Sequence, residues 1–433
     1  MSEKIPFFIN SNIVTSLENV KDFSSFMNAI SYNTGNSYIT YSLIKECFND
    51  IKSLHHIQNI YNYDFDNQEK DIDFINNVAT HVVFVLQDQI RIHESYGLKL
   101  PYEKIKNFIK KINKPLIIAG LGANYFTSYN KDFYKMLSAE LADFLQFLSE
   151  HCIKIGVRGY FTQEILSKLG IKNVQVIGCP SYFETGKNRI ITKPNIKDIK
   201  EVVLSSNLPI SNIENNFQIM QDFYEEKIIN AICYNKFESE FSSFELKKLK
   251  NLKYRIFSNI EDWKIFMKQF KFAIGFRLHG TILAINSGIP AMCCNGDARA
   301  TEMCAFLGIP HYKNLSENTN IMELYENIDI SSINRNYKYL YENFENFLKL
   351  NNIEISENSN LENNLECPTL ELYNKNYTKC LWFYIIKKIF KDYCNLIYNK
   401  YTIVSNYLKV FFNKIKNLAI AIKEVLKFKI KSF

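Results

Sequence analysis

Short apolar runs, each bounded by turn residues, alternate with longer segments of helical period over most of the first 310 residues. The clearest set lies at 271–302. Phe272 to Phe276 is apolar and short enough to be a buried strand, and Gly280-Thr281 opens a helical pattern. Ser287-Gly288 and Pro290 end that helix and start a second apolar strand, Ala291 to Cys294. The turn Asn295-Gly296-Asp297 then leads to Arg299 and a helix holding Glu302. Strand, helix and strand form a βαβ unit, whose ligands sit at the carboxyl ends of the strands.

Upstream, the same reading predicts strands at His55–Tyr61 and His81–Leu86, joined by a charged, loop-like segment. Residues 1–30 show too little periodicity to assign. Asn33-Thr34-Gly35-Asn36 is a turn before a helix over Tyr38–Phe48. A helix at Lys104–Ile112 and a strand at Pro115–Ala119 follow, the strand ending in the small-residue loop from Gly120 to Asn124. Asp132–Glu150 reads as one helix, Ile153–Val157 as a strand ending at Arg158, and Val174–Ile177 as a strand before Gly178-Cys179-Pro180. Lys187–Lys200, with Pro194, looks like a linker. Beyond it come strands at Glu201–Ser205, Ile228–Tyr234 and Tyr254–Phe257, and helices at Ile213–Tyr224, Glu238–Leu249 and Glu261–Phe270. Strands alternating with helices of this length mean parallel sheets, hence an α/β fold of two domains, 1–190 and 200–330.

A helical and Asn-rich linker is expected over 331–380, and a basic amphipathic helical tail over 381–433. In the tail Val404, Leu408, Phe411, Ile415, Leu418, Ile422 and Val425 keep a 4-3 alternation, with Lys409, Lys416 and Lys423 outside it. Packing on the enzyme body, self-association into a homo-oligomer and adsorption to an anionic membrane all fit that seam.

Charge sharpens the picture. The chain carries +7 overall, and from Leu381 onward eleven lysines face one Asp and one Glu, a surplus of +9 that leaves −2 for the rest. A near-neutral body excludes a nucleic-acid enzyme, whose basic surface belongs on the folded domain. No stretch reaches the roughly 18 apolar residues of a membrane span. The ten cysteines show neither a CxxC pair nor metal-ligand spacing, and Met1–Asn10 is not a secretory leader. Reduced thiols, no bound metal and a cytoplasmic address, peripheral at the membrane if the tail binds there, are the expectation.

Chemistry gathers at the strand ends. Arg277, His279 and the helix start at Gly280-Thr281 outline an anion site. Arg158 stands at another strand end. The bland alternatives are a satisfied core histidine, a surface arginine, and an N-cap turn at Asn33–Asn36. Cys179 has no base beside it in sequence and reads as a buried structural thiol.

The motif Phe276-Arg277-Leu278-His279-Gly280, followed by Ser287-Gly288-Ile289-Pro290 and Asp297-Ala298-Arg299, resembles the polysaccharide pyruvyl transferases. A second block agrees: Ile155-Gly156-Val157-Arg158-Gly159, Gly170, and Ile177-Gly178-Cys179-Pro180-Ser181. The likeness covers roughly residues 30 to 310. It implies two Rossmann-like domains facing across a cleft (GT-B-like). It also implies transfer of an enolpyruvyl unit from phosphoenolpyruvate to a sugar of a cell-surface polysaccharide, or its lipid-linked oligosaccharide precursor, without a cofactor.

Strand-end chemistry and the resemblance together make His279 and Arg277 the expected catalytic residues. Arg158, Leu278, Gly280, Thr281, Gly35, Asn36, Gly122, Asn124, Asp297 and Arg299 become binding residues. Asn36 stands where the family has an acid. Asp297, Arg299 and Glu302 either line the cleft or cap their helix. Two other classes remain compatible with the residues: a glycosyltransferase using a nucleotide sugar, and a non-catalytic scaffold of glycan assembly.

Overall fold

A computed structural model describes residues 4–15, 28–31, 33–48, 54–92, 99–125, 129–206, 208–210, 213, 216–219, 221, 252–353 and 355. The strand expected at 228–234, the helix at 238–249, most of the Asn-rich segment and the whole tail lie outside them.

The described strands form two parallel sheets. The first contains β1 (Pro6–Ile9), β2 (His55–Ile57), β3 (His81–Phe84), β5 (Leu116–Leu121), β7 (Cys152–Val157) and β8 (Val174–Val176), in the order β2-β1-β3-β5-β7-β8. A two-stranded ribbon, β4 (Ile90–Arg91) and β6 (Ala123–Asn124), continues beyond it. The second sheet contains β9 (Val202–Leu204), β10 (Phe217–Ile219), β11 (Lys253–Arg255), β12 (Phe272–Gly275) and β13 (Ala291–Cys293), in the order β11-β10-β9-β12-β13. All pairings are parallel. Parallel strands are covered on both faces, so they read as unbroken apolar runs. β5 (LIIAGL) and β12 (FAIG) are buried throughout for that reason. The α/β fold of two parallel-sheet units expected from the sequence is therefore present.

Several expectations change. Pro6–Ile9 is a central strand, although four residues are too few to show a period. The segment between the second and third strands is not loop-like: it holds helix α2 (Glu69–Asn77), after α1 (Thr34–Cys47). The strand at 55 stops at Ile57 and a 3₁₀ turn follows. The helix expected at 132–150 divides into a 3₁₀ turn at Phe133–Met136 and α4 (Ala139–Glu150), after α3 (Tyr102–Ile109). Ser138 caps α4 by accepting from the Leu141 amide, so the break is a new N-terminus. The helix expected at 213–224 is interrupted by β10, whose fully buried Gln218 masked the strand pattern.

Helix α7 (Leu278–Asn286) packs between the sheets and is buried at eight of nine positions. An all-round apolar helix of this kind belongs inside a core. One continuous apolar cluster runs from Phe8 and α1 through Tyr182 and Phe183 to α7 and α11 (Tyr337–Leu350). The described residues in this order also include α5 (Tyr160–Lys168), α6 (Ile260–Met267), α8 (Ala298–Leu307), α9 (Ile321–Asn327) and α10 (Ser331–Arg335).

Helix α11 lies on the first sheet: Phe344 stacks on Phe183 with centroids 4.7 Å apart, and Phe347 reaches Gly156. The stretch 187–200 is anchored at Arg189, Ile191 and Ile196, which are buried. The Arg189 guanidinium lies 4.1 Å from the Tyr182 ring centre and 3.7 Å from that of Tyr337. Its Nη1 donates to Asn286 Oδ1 at 2.8 Å. A buried charge cluster joins the halves again, with Glu184 Oε1 2.5 Å from both Lys45 Nζ and Lys264 Nζ. Among the described residues no helix is long and apolar enough to cross a membrane.

Candidate functional site

Strand order locates the crevices. In the second sheet the described order places β9 beside β12, with the chain leaving them toward opposite edges. Ligands bind beyond the carboxyl ends of the strands at such a reversal. Beyond β9 and β12 stand Ser205, Ser206, Arg277 and His279, with Ser206 Oγ accepting from the Phe276 amide at 2.7 Å. In the first sheet the reversal lies between β1 and β3, so Asn10–Asn12 and Gln87-Asp88 stand at its end. The described residues contain five non-glycine residues with left-handed backbone, and three of them (Asn10, Asn12 and Gln87) fall here. Strain of this kind collects where a site over-determines the backbone.

The groups from both sheets converge. Asp88, absent from the expected site, accepts from Asn124 Nδ2 at 2.8 Å and pairs with Arg299 at 3.2 Å. Burial alone would raise its pKa. The charges of Arg299, Arg91 and Arg158, with the Asn124 bond, override that and hold the carboxyl well below the usual range. Arg299 also reaches Asp297 at 3.2 Å, and Asp297 caps α8 through the Ala300 amide. Asp297 thus caps the helix and holds Arg299 toward Asp88, whereas both oxygens of Glu302 are taken by Thr162. Glu302 accepts from the Thr162 amide at 2.9 Å and from Thr162 Oγ1 at 2.6 Å, clamping α8 to α5.

Arg158 follows β7, its amide bonded to Leu121 O, and is 1% exposed. Neither its Nε nor its Nη2 has a hydrogen-bond partner among the described residues. Those two atoms form one edge of the guanidinium, the two-donor fork that fits a carboxylate or phosphate. Gly122 makes room for it: a Cβ there would lie 2.8 Å from Arg158 Cδ.

His279 occupies the second position of α7. Its Nε2 lies 3.6 Å from Cys179 Sγ, and Ser181 Oγ is 3.0 Å from the same sulfur. Cys179 is fully buried, as expected, yet the fold supplies the imidazole that the sequence did not place beside it. Burial, then the charges of Arg158 and Arg299, push the His279 pKa well below its ordinary value, so the imidazole is neutral. Gly35 packs on the ring, and a Cβ at that position would come 2.8 Å from His279 Nδ1.

The remaining expected residues are placed differently. Gly35 and Asn36 lie in the first turn of α1, capped by the Asn33 side chain, rather than in a loop before it. Leu278 is 5% exposed and belongs to the core. Thr281 Oγ1 donates to Arg277 O within its own helix, and Gly280 packs α7 against Ser205 and Gln221. Arg277 is the half-buried N-cap residue of α7. Three guanidiniums (Arg91, Arg158 and Arg299) against two carboxylates (Asp88 and Asp297) leave a cationic crevice suited to an anionic ligand. Asp88 had one signal in the sequence, its place just past an apolar run. Its meaning depended on β1, which the sequence did not reveal.

The polysaccharide pyruvyl transferase family model matches residues 33–297. No curated protein matches the sequence significantly. Among solved structures, Anabaena HepE in complex with UDP and glucose is similar at 9% identity and a TM-score of 0.40, over 81% of this chain and 97% of that one. A Klebsiella pneumoniae protein described as uncharacterised shares 13% identity at a TM-score of 0.34, over 70% and 88%. S. aureus MnaA with UDP shares 11% at 0.37, over 82% and 99%.

Proposed function

The chain belongs to the polysaccharide pyruvyl transferase family, a family of transferases, and from that premise we propose that it moves a pyruvyl unit from phosphoenolpyruvate onto a sugar. The acceptor is a cell-surface polysaccharide or its lipid-linked precursor. The observation that carries the reading is the fork of Arg158, buried and with both donors of one edge unpartnered among the described residues. Phosphoenolpyruvate holds a carboxylate and a phosphate on one small rigid frame, and a guanidinium edge grips either with two parallel bonds. Arg277, at the start of α7 beyond β12, is our candidate for the other anionic end.

A neutral His279 serves as a proton acceptor, taking the proton of the attacking hydroxyl. C3 of the donor gains a proton and becomes a methyl group, and the sugar oxygen bonds to C2. The C2–O bond to phosphate then breaks, a second hydroxyl bonds to C2 in its place, and inorganic phosphate carries away the remaining hydroxyl proton. Phosphoenolpyruvate and a diol thus yield a cyclic ketal and phosphate.

The test is phosphate release from phosphoenolpyruvate on addition of nitrophenyl or lipid-linked sugars, with a matching mass increase in the sugar. Arg158→Lys keeps the charge and loses the fork. A bidentate charge-assisted contact contributes about 1.5–3 kcal/mol, so donor kcat/KM should fall roughly 10- to 100-fold with acceptor KM unchanged. Turnover of a sugar nucleotide without phosphoenolpyruvate, or an effect on the acceptor alone, would refute the proposal.

A further inference from the structure

We propose that Cys293, Cys304 and His311 form a binding site for a zinc-class divalent cation, behind the turn that carries Asp297 and Arg299. One ligand atom from each of these residues lies within 4.8 Å of the others. In a tetrahedral zinc sphere with Zn–S near 2.3 Å and Zn–N near 2.0 Å, ligand atoms stand about 3.3–3.8 Å apart. Small side-chain rotations close that gap.

Three separate elements supply the ligands, which is why no spacing rule exposes them. Cys293 ends β13, Cys304 lies on α8, and His311 follows that helix. The backbone holds the third ligand beside the first. The Cys293 amide donates to Pro310 O at 2.9 Å, and the Tyr312 amide donates to Cys293 O at 3.0 Å. His311 therefore runs alongside the strand end in a parallel bridge.

The imidazole is set for ligation. His311 Nε2 lies 2.6 Å from Asn295 O, and a carbonyl can only accept, so Nε2 carries the proton and the lone pair stays on Nδ1. A metal-binding histidine is oriented in this way by a carbonyl on its other nitrogen. The neighbouring Cys294 is no competitor. Side chains alternate along a strand, and Cys293 joins the core between the sheets whereas Cys294 joins the core on the opposite face. Cys293 and Cys304 are 0% and 2% exposed, and half-buried His311 opens the site to solvent.

Two sulfurs and an imidazole are a borderline-soft donor set, which selects zinc over magnesium, calcium or manganese. Three protein ligands leave one tetrahedral position for water. The bound ion would clamp β13 to α8 and so fix the turn that presents Asp297 and Arg299. The site stands independently of the transfer reaction.

The experiment uses the full chain, reduced and stripped by chelator, titrated with Co²⁺ and then with Zn²⁺. The expected result is one Co²⁺ per chain with a sulfur-to-metal charge-transfer band and tetrahedral d–d absorption, displaced by Zn²⁺. Cys304→Ser and His311→Asn should each weaken binding by more than the roughly 100-fold that loss of an outer-shell partner costs. Cys152→Ser should leave the band intact. If Cys304→Ser does not fold, the half-exposed His311→Asn carries the same test. Absence of the charge-transfer band in excess Co²⁺, or a band that survives His311→Asn unweakened, would overturn the assignment.

Discussion

Glu302→Gln should change how stability depends on pH, by an amount the structure sets. Glu302 is 8% exposed and both its oxygens accept from Thr162. Burial raises its pKa from 4.5 to about 7, against the lowering effects of the Thr162 bonds and of Arg158. The folded chain therefore keeps a proton that the unfolded chain has released. A group raised in this way stabilises fully below its unfolded pKa, and the contribution is lost as pH rises through the folded value. At about 1.4 kcal/mol per pH unit of displacement, the loss between pH 4.5 and 7 is about 3 kcal/mol.

Glutamine is neutral at every pH and keeps an oxygen for the Thr162 amide. Parent and variant should be of similar stability near pH 5, and the variant ahead by about 3 kcal/mol at pH 8. Urea unfolding at pH 5, 6, 7 and 8, compared at a common m-value, measures the gap. Glu46, also raised by burial to about 7, and His56, lowered by burial to about 4, titrate in both proteins and cancel in the difference. A gap that stays constant over this range would refute the reasoning. Below about pH 7, where Glu302 is protonated, the charge of Arg158 is left to the ligand.

Gly35→Ala should push the imidazole of His279 out of place, because its Cβ would lie 2.8 Å from Nδ1. We expect kcat to fall on the order of 100-fold, the scale of a 1 Å misplacement, with far-UV spectra unchanged. Asp88→Asn removes the shared counter-charge of Arg299, Arg91 and Arg158. With its side chain 18% exposed, the cost should be about 2–3 kcal/mol, below that of a fully buried pair, read from the denaturation midpoint. Phe344→Ala should cost about 3–5 kcal/mol if α11 is an integral layer of the first sheet, and near zero if it is a loose linker.

Composition and periodicity were enough for the α/β class, because strands buried on both faces must be apolar at every position. β5, β12 and β13 are legible for that reason. The places of the motif residues were legible too: Arg158, His279, Asp297 and Arg299 sit at strand ends or helix starts, as the pattern predicts. β1 was not legible. Its short apolar run has no preceding strand–helix alternation to place it in, and its strand character comes from pairing with β2 and β3 on either side.

With β1 hidden, the reversal of strand order between β1 and β3 was hidden as well, and Asp88 stayed an anonymous acid. Tertiary structure also decided which small residues mattered and how. Gly35 and Gly122 serve by leaving space for His279 and Arg158, partners 244 and 36 positions away in the chain. Contacts between distinct elements likewise decide whether Cys179 meets an imidazole and whether Cys293, Cys304 and His311 lie together. They depend on three-dimensional proximity, which no periodicity along the chain encodes.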